Sequence, residues 1–521
     1  MERRIHLTRA GPPADYYGFF SGPAIVLLLA LAKFLFHVLT AGRYGIFRDE
    51  LYYLACSEHL DFGYVDQPPL IAFITWLARH TFGESLYGLR LLPAVAGGAT
   101  VWLTGKLARE MGGGRFAQAL AAMAVIAAPI YLLVHHWLTM NAFEPLIWVG
   151  CAWCVVRAVN RSDPHYWLPF GLLLGLGMEN KYTTAFFGLA VFVALFLTPQ
   201  RRFLSNARIW IGAFCSLLIF LPNLIWLIRH DFPFLELMHN IRGTDRDVVR
   251  GPVAFIADQA MLMNPILFPL WLGGLGWLLF NRDGSRYRIL GLTYVMILIA
   301  MIAMKGKNYY LSAAYPMLLA AGAVAFGKLT RERGRWSRVF YVGLIAAATC
   351  LLGPMAAPIL PVEMYVRYQK AIGFEPPKAE NQPTGPLPQH FADEFGWEAM
   401  ALEVARVYYG LPAEQRAVTA IFANSYGQAG AIDFFGKKYG LPKAISNHQN
   451  YWYWGPRDYT GESVIVLGSD GTGDREHFAS VEVVGRTDHP YSRRDEHFDI
   501  FLCRDLNAPL PELWPKMKKW N

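Results

Sequence analysis

Up to about residue 357 the apolar residues gather in runs of roughly 15–22, the length a helix needs to cross about 30 Å of hydrocarbon. From about residue 362 onward, polar, charged and apolar positions mix instead. The runs predict about eleven spans, near 22–40, 88–105, 117–134, 143–157, 166–179, 183–199, 209–228, 264–280, 288–304, 309–327 and 339–357. The expected architecture is a polytopic α-helical membrane protein with a small C-terminal α/β domain. Its parts are a membrane domain over 1–360, a Pro-rich linker over 361–390 and a soluble domain over 391–521. Pro376-Pro377 through Pro388 reads as extended chain. After it the spacing predicts a helix over Trp397–Tyr409 and strands at Val418–Phe422, Ser463–Leu467, Val481–Val484 and Phe498–Leu502. A Gly-punctuated turn and helix fall between Asn424 and Tyr439, so strands alternate with helices. Nothing in this tail assembles a triad, a metal set or a phosphate loop.

Composition agrees with the pattern: 521 residues, 54% hydrophobic, 15% aromatic, mean hydropathy +0.24, too apolar for a soluble enzyme of this size. The net charge of +8 sharpens the topology. Arg3, Arg4 and Arg9 fall on one side with Lys106, Arg109, Arg115, Arg157, Arg161, Arg201, Arg202 and Arg208. Arg282, Arg286, Arg288, Lys328, Arg331, Arg333, Arg335 and Arg338 join them, and the positive-inside rule makes that side cytoplasmic. The opposite side receives Asp49-Glu50, His135-His136, Lys181, the 229–263 loop, Lys305-Lys307 and the C-terminal domain. A cytoplasmic N-terminus and an extracytoplasmic C-terminal domain follow. Because the basic residues lie in short interhelical segments rather than on one face, nucleic acid is excluded as a partner. Tyr44, Tyr52, Tyr53, Trp76, Trp137, Tyr309 and Tyr310 gather near the predicted outer ends, as interfacial anchors do. No small-x-small site precedes Arg43, so the first apolar run reads as an uncleaved span. Of the six cysteines, only Cys56 and Cys503 lie outside apolar runs, which leaves one bridge conceivable.

The chemistry concentrates in the first outer loop, Tyr44-Gly-Ile-Phe-Arg48-Asp49-Glu50-Leu-Tyr52-Tyr53, followed by Asp66-Gln67-Pro68-Pro69-Leu70. An acidic pair just beyond a membrane helix is costly if it enters the interface unpaired, so such residues commonly face a cavity. The bland alternative is a helix start running to Leu60, with the acids on the favourable end of the dipole. Moving a sugar off a lipid phosphate needs a carboxylate to take the acceptor's proton and cations to hold the departing phosphate. Asp49 and Glu50 supply the acids. Arg90, Lys305, Lys307 and Lys181 supply the cations, although each, alone, also reads as a residue snorkelling to headgroups.

Arg48-Asp49-Glu50, then Asp66-Gln-Pro-Pro-Leu70, then Arg90-Leu-Leu-Pro resembles the protein O-mannosyltransferase and aminoarabinose-transferase group, glycosyltransferase family thirty-nine in the C-type membrane fold. Lys305-Gly-Lys307-Asn-Tyr309-Tyr310 with Pro316 resembles that group's later Lys/Tyr/Pro loop, and Gly171 to Lys181 its Gly-rich helix ending in Lys. The resemblance spans roughly residues 20–330. It implies Asp49 as catalytic base, Glu50 as its neighbour in positioning, and Arg90 with Lys305 or Lys307 on the lipid phosphate. Two departures point to a bacterial branch. Gln67 stands where the mannosyltransferases carry His. Thr139-Met-Asn141-Ala-Phe-Glu144-Pro145 stands where an Asp is common, so Glu144 either substitutes or merely starts a helix. His135 and His136 are weak candidates for the metal some relatives use, since adjacent His point apart on a helix; a divalent metal is the one cofactor left open. Lys33 and His37 inside the first span, and the charged loop Arg229–Met263 (Arg242, Asp245, Arg246, Asp247, Arg250), either lid or connector, complete the set.

The expected function is inverting transfer of a sugar from a polyprenyl-phosphate donor to an extracytoplasmic acceptor (protein, lipid or glycan) at the outer face of a bacterial inner membrane. The competing classes are a transporter or flippase of lipid-linked saccharide and a membrane-anchored scaffold with an exported binding domain.

Overall fold

The computed structural model describes residues 21–244, 246–332, 334–373, 375, 380–381, 383 and 385–521, with the side chain of Arg335 excepted. Arg3, Arg4, Arg9, Asp245, Arg333, Pro376 and Pro377, all named above, lie outside the described residues.

Among these, seven helices are long and apolar enough to cross a membrane: Gly22–Thr40, Leu86–Glu110, Met140–Arg161, Ala207–Arg229, Ser285–Ala303, Asn308–Leu329 and Trp336–Ala356. Two bent pairs, Thr183–Phe196 with Pro199–Ser205 (108°) and Pro252–Leu262 with Pro265–Phe280 (103°), bring the number to nine if each counts as one span. The remaining two expected spans fall short for identifiable reasons. The run 117–134 is cut at Ala128 (φ −81°, ψ 120°), because Pro129 pushes its predecessor out of helical geometry; helices Arg115–Ala127 and Pro129–Val134 flank the break. The run 166–179 forms Trp167–Asn180, only 14 residues, or about 21 Å at 1.5 Å per residue. Small residues set the spacing around that helix. A Cβ on Gly171 would stand 2.0 Å from the Gly212 carbonyl oxygen, so the Ala207–Arg229 helix approaches it backbone to backbone.

An apolar helix that the pattern did not single out, Leu70–Phe82, follows Pro68-Pro69 in the first loop. The 229–263 loop is helical at both ends, Pro233–Arg242 and Pro252–Leu262.

The C-terminal domain carries four strands: β1 (Thr419–Ala423), β2 (Ser463–Leu467), β3 (Phe478–Thr487) and β4 (Phe498–Leu506), in spatial order β1-β2-β4-β3. β1 pairs parallel with β2 (Thr419↔Ser463), while β4 pairs antiparallel with β2 and β3. β1 and β2 are buried along their whole length, β1 even though it ends the sheet, whereas β3 at the opposite edge is half-buried to exposed. Cys56 and Cys503 are both buried and free, so the bridge left open by the sequence is not formed.

The domain does not stand apart from the membrane helices. Leu51, Tyr52, Leu54 and Cys56 of helix Arg48–Glu58 share one apolar cluster with Ile421, Ile432, Ile465 and Leu502. The helix Tyr426–Phe435 lies against Arg48–Glu58 through glycines: a Cβ on Gly430 would meet the Leu51 carbonyl oxygen at 2.8 Å. The C-terminal domain therefore sits at the end of the helix bundle that carries Asp49.

Candidate active site

Asp49 and Glu50 both occupy the first turn of helix Arg48–Glu58, where carboxylates favour the helix dipole. Consecutive helical residues point about 100° apart, so the two acids cannot share a direction. Glu50 turns inward and is fully committed. Its Oε2 accepts from the Phe47 N–H (2.9 Å), closing a capping box, and from Arg90 Nη2 (2.8 Å). Its Oε1 accepts from Arg90 Nε (3.1 Å) and the Leu138 N–H (2.8 Å).

Arg90 is equally committed. It is 1% exposed and donates to Glu50, to the carbonyls of Ala41 (2.9 Å) and Gly45 (2.8 Å), to His136 Nε2 (2.9 Å) and to Glu394 (3.4 Å). A guanidinium has five N–H donors, and here all have acceptors within the protein. Arg90, expected on the lipid phosphate, forms here a buried tie between the first loop, the Leu86–Glu110 helix and the C-terminal domain. Glu394, which joins it from that domain, is raised to about 8, chiefly by burial.

Asp49, the next residue around the turn, is half-buried. Its Oδ1 accepts from the Tyr426 hydroxyl (2.9 Å). Burial pushes its carboxyl above the usual range, while the Tyr426 hydrogen bond and Arg48 pull it back. Arg48 lies 5.0 Å over the Tyr426 ring. Asp66 accepts from the Tyr52 hydroxyl (3.0 Å) and is pushed by burial up to about 7.

A charged cluster that includes Lys307 and Glu380 lies near Asp49. Lys307 pairs with Asp247 (3.3 Å) and Glu380 (3.2 Å), and Arg246 with the same Glu380 (3.1 Å). Arg493 approaches Glu380 at 3.8 Å. Burial alone would raise the Glu380 carboxyl; Lys307, Arg246 and Arg493 reverse this and hold it well below the carboxylate range. Glu380 belongs to the segment read as a plain linker, yet it bridges to Asp247 as a short β-contact.

The remaining expected residues divide. Lys305 is exposed, with a left-handed backbone (φ 54°). Lys181 donates to Asn141 (2.8 Å) and Glu144 (3.1 Å) and lies 4.2 Å from the Tyr310 ring and 5.6 Å from that of Tyr309. Glu144 also accepts from Thr183 and sits inside helix Met140–Arg161 rather than at its start. Gln67 is buried, its Nε2 on Cys56 Sγ (3.8 Å). His136 Nε2 is taken by Arg90, and His135 Nδ1 donates to the Tyr131 carbonyl (2.8 Å). Among the described residues no group of three or more His, Cys, Asp and Glu side chains is arranged to hold a metal ion. Tyr426, Asn450, Glu380 and Glu394 were missed, because they lie in the C-terminal part with no local motif; Arg246 and Tyr52 appeared only as loop charge and interfacial ring. Two cavities, about 320 Å³ beside Trp397 and His489 and about 400 Å³ beside Lys518 and Trp520, lie off Asp49.

Residues 66–226 match the family described as dolichyl-phosphate-mannose-protein mannosyltransferase. The chain is 25% identical over 295 residues to the lipid A galacturonosyltransferase RgtD of Rhizobium johnstonii, covering 55% of this chain and 62% of that protein. It is 23% identical over 361 residues to an undecaprenyl phosphate-α-4-amino-4-deoxy-L-arabinose arabinosyl transferase of Pseudomonas savastanoi pv. phaseolicola, covering 63% and 66%. The chain thus matches less than two thirds of the length of these relatives. The crystal structure of ArnT from Cupriavidus metallidurans bound to undecaprenyl phosphate superposes with a TM-score of 0.60 at 15% identity, covering 92% of this chain and 97% of that one. Over residues 66–226 the chain is thus similar to this mannosyltransferase family, and its overall fold is that of the ArnT structure.

Proposed function

We propose that this protein transfers a sugar from a polyprenyl-phosphate donor to an acceptor hydroxyl, with Asp49 as general base and inversion at the anomeric carbon. The observation that carries the reading is the contrast between two neighbouring acids: Glu50 has every lone pair engaged, while Asp49 accepts one hydrogen bond, from Tyr426, and lies in the field of Arg48, Lys307 and Glu380. A half-buried carboxylate with a raised affinity for protons suits proton abstraction from a hydroxyl. The acceptor's oxygen attacks the anomeric carbon as its proton passes to Asp49, and the bond to the lipid phosphate breaks on the opposite face. Lys307 and Arg246, already gathered around the Glu380 carboxylate, are the cations suited to the departing phosphate, with the exposed Lys305. Arg90 acts one step back, fixing the turn that aims Asp49. The donor class is supported by the undecaprenyl-phosphate-linked arabinosyl transferase among the relatives and by the lipid in the ArnT structure. The charge alternation along the chain supports an extracytoplasmic site.

Purified protein in vesicles, given radiolabelled polyprenyl-phosphate sugars and isolated acceptor fractions, is expected to form labelled acceptor and free lipid phosphate. Label crossing the bilayer without covalent transfer would point to a transporter instead, and neither outcome to a scaffold.

A further inference from the structure

The C-terminal domain touches the reacting end of the site, not merely its surroundings. Tyr426 opens helix Tyr426–Phe435 at the N-cap Ser425, and its hydroxyl reaches Asp49 across 377 positions of sequence. Its ring is held on every side. It stacks on His448 (centroids 5.1 Å, 12°), whose Nδ1 accepts the Tyr426 N–H (3.1 Å), and it lies 4.7 Å from Tyr52 and under Arg48. Asn450 of the same domain sets the second carboxylate. Its Oδ1 accepts the Val65 N–H (2.6 Å), next to Asp66, and its N–H donates to the Tyr52 hydroxyl (3.3 Å) that in turn holds Asp66. Both carboxylates therefore end on a tyrosine hydroxyl fixed by the C-terminal domain.

We propose that the C-terminal domain completes the catalytic centre, with Tyr426 as the positioning residue that holds one oxygen of Asp49 and leaves the other aimed at the acceptor hydroxyl. This rests on the assignment of Asp49 as base. A donor on the ionised carboxylate stabilises the form that can accept a proton, and an oriented carboxylate avoids the cost of reaching its reactive geometry anew in each turnover.

The test uses full-length protein in vesicles, with transfer rates measured from pH 5 to 9 for wild type, Tyr426→Phe, Tyr426→Ala and Asp49→Asn. Phe keeps the ring between His448 and Arg48 and removes only the hydroxyl. The expected result for Phe is a roughly tenfold lower kcat at neutral pH, an acid limb moved upward by about one pH unit, and an unchanged donor KM. Should Phe restore the wild-type rate and profile where Ala does not, the ring is packing and the proposal falls, while Asp49 stands if its Asn variant is inactive. An active Asp49→Asn variant would overturn the base assignment and the proposal with it.

Discussion

Glu50 and Asp49 are adjacent carboxylates on one helix turn, yet they live in different electrostatic worlds. Glu50 accepts four hydrogen bonds from Phe47, Leu138 and Arg90 in a dry pocket, where an ion pair stands only because its geometry is complete. Asp49 accepts from one tyrosine and lies near Arg48, Lys307 and Glu380. The difference teaches that helix phase, about 100° per residue, separates architecture from chemistry more sharply than residue type does. Arg90 shares the enclosed surroundings of Glu50.

That division can be broken experimentally. Arg90→Ala leaves Glu50 buried and unpaired, and should cost about 3–5 kcal/mol of stability, seen as a sharp drop in thermal melting of the detergent-solubilised protein. A variant that melts normally but loses donor affinity would return Arg90 to the phosphate. Lys307→Ala should leave melting near wild type while lowering transfer roughly 10–100-fold, mainly through the step in which phosphate departs. An unaltered rate would remove Lys307 from the site. The smallest effect is a pH dependence. Asp66 holds its proton up to about pH 7, above the ordinary aspartate value, so its contribution is full below about pH 4 and is lost as pH rises toward 7. Wild type should therefore lose melting temperature relative to Asp66→Asn across that window. Parallel curves for the two proteins would contradict it.

Much of the fold was legible because hydrophobic run length is a direct consequence of bilayer thickness. The spans 22–40 and 209–228 correspond to Gly22–Thr40 and Ala207–Arg229, and the predicted strand Ser463–Leu467 is β2 itself. Where the pattern misled, a local cause is visible: Pro129 breaks an apolar run whose hydropathy never falters. The acidic pair was readable as a cluster, but which acid faces inward depends on Arg90 and Leu138, 40 and 88 positions away. An Arg at a helix mouth looks like a free cation until its acceptors, two of them backbone carbonyls, are seen. Tyr426 and Glu380 carry no motif at all; only folding brings a tyrosine from a Gly-rich turn and an acid from a Pro-rich segment to Asp49 and Lys307.

The central claim is that Asp49, unlike its neighbour, serves chemistry rather than architecture. Asp49→Asn and Glu50→Ala, purified together and compared by melting and by transfer of labelled sugar from polyprenyl phosphate, test it most directly. Asp49→Asn should melt like wild type and lose transfer by about 10²–10⁴-fold, whereas Glu50→Ala should melt well below it. Wild-type turnover in a folded Asp49→Asn protein would contradict the account.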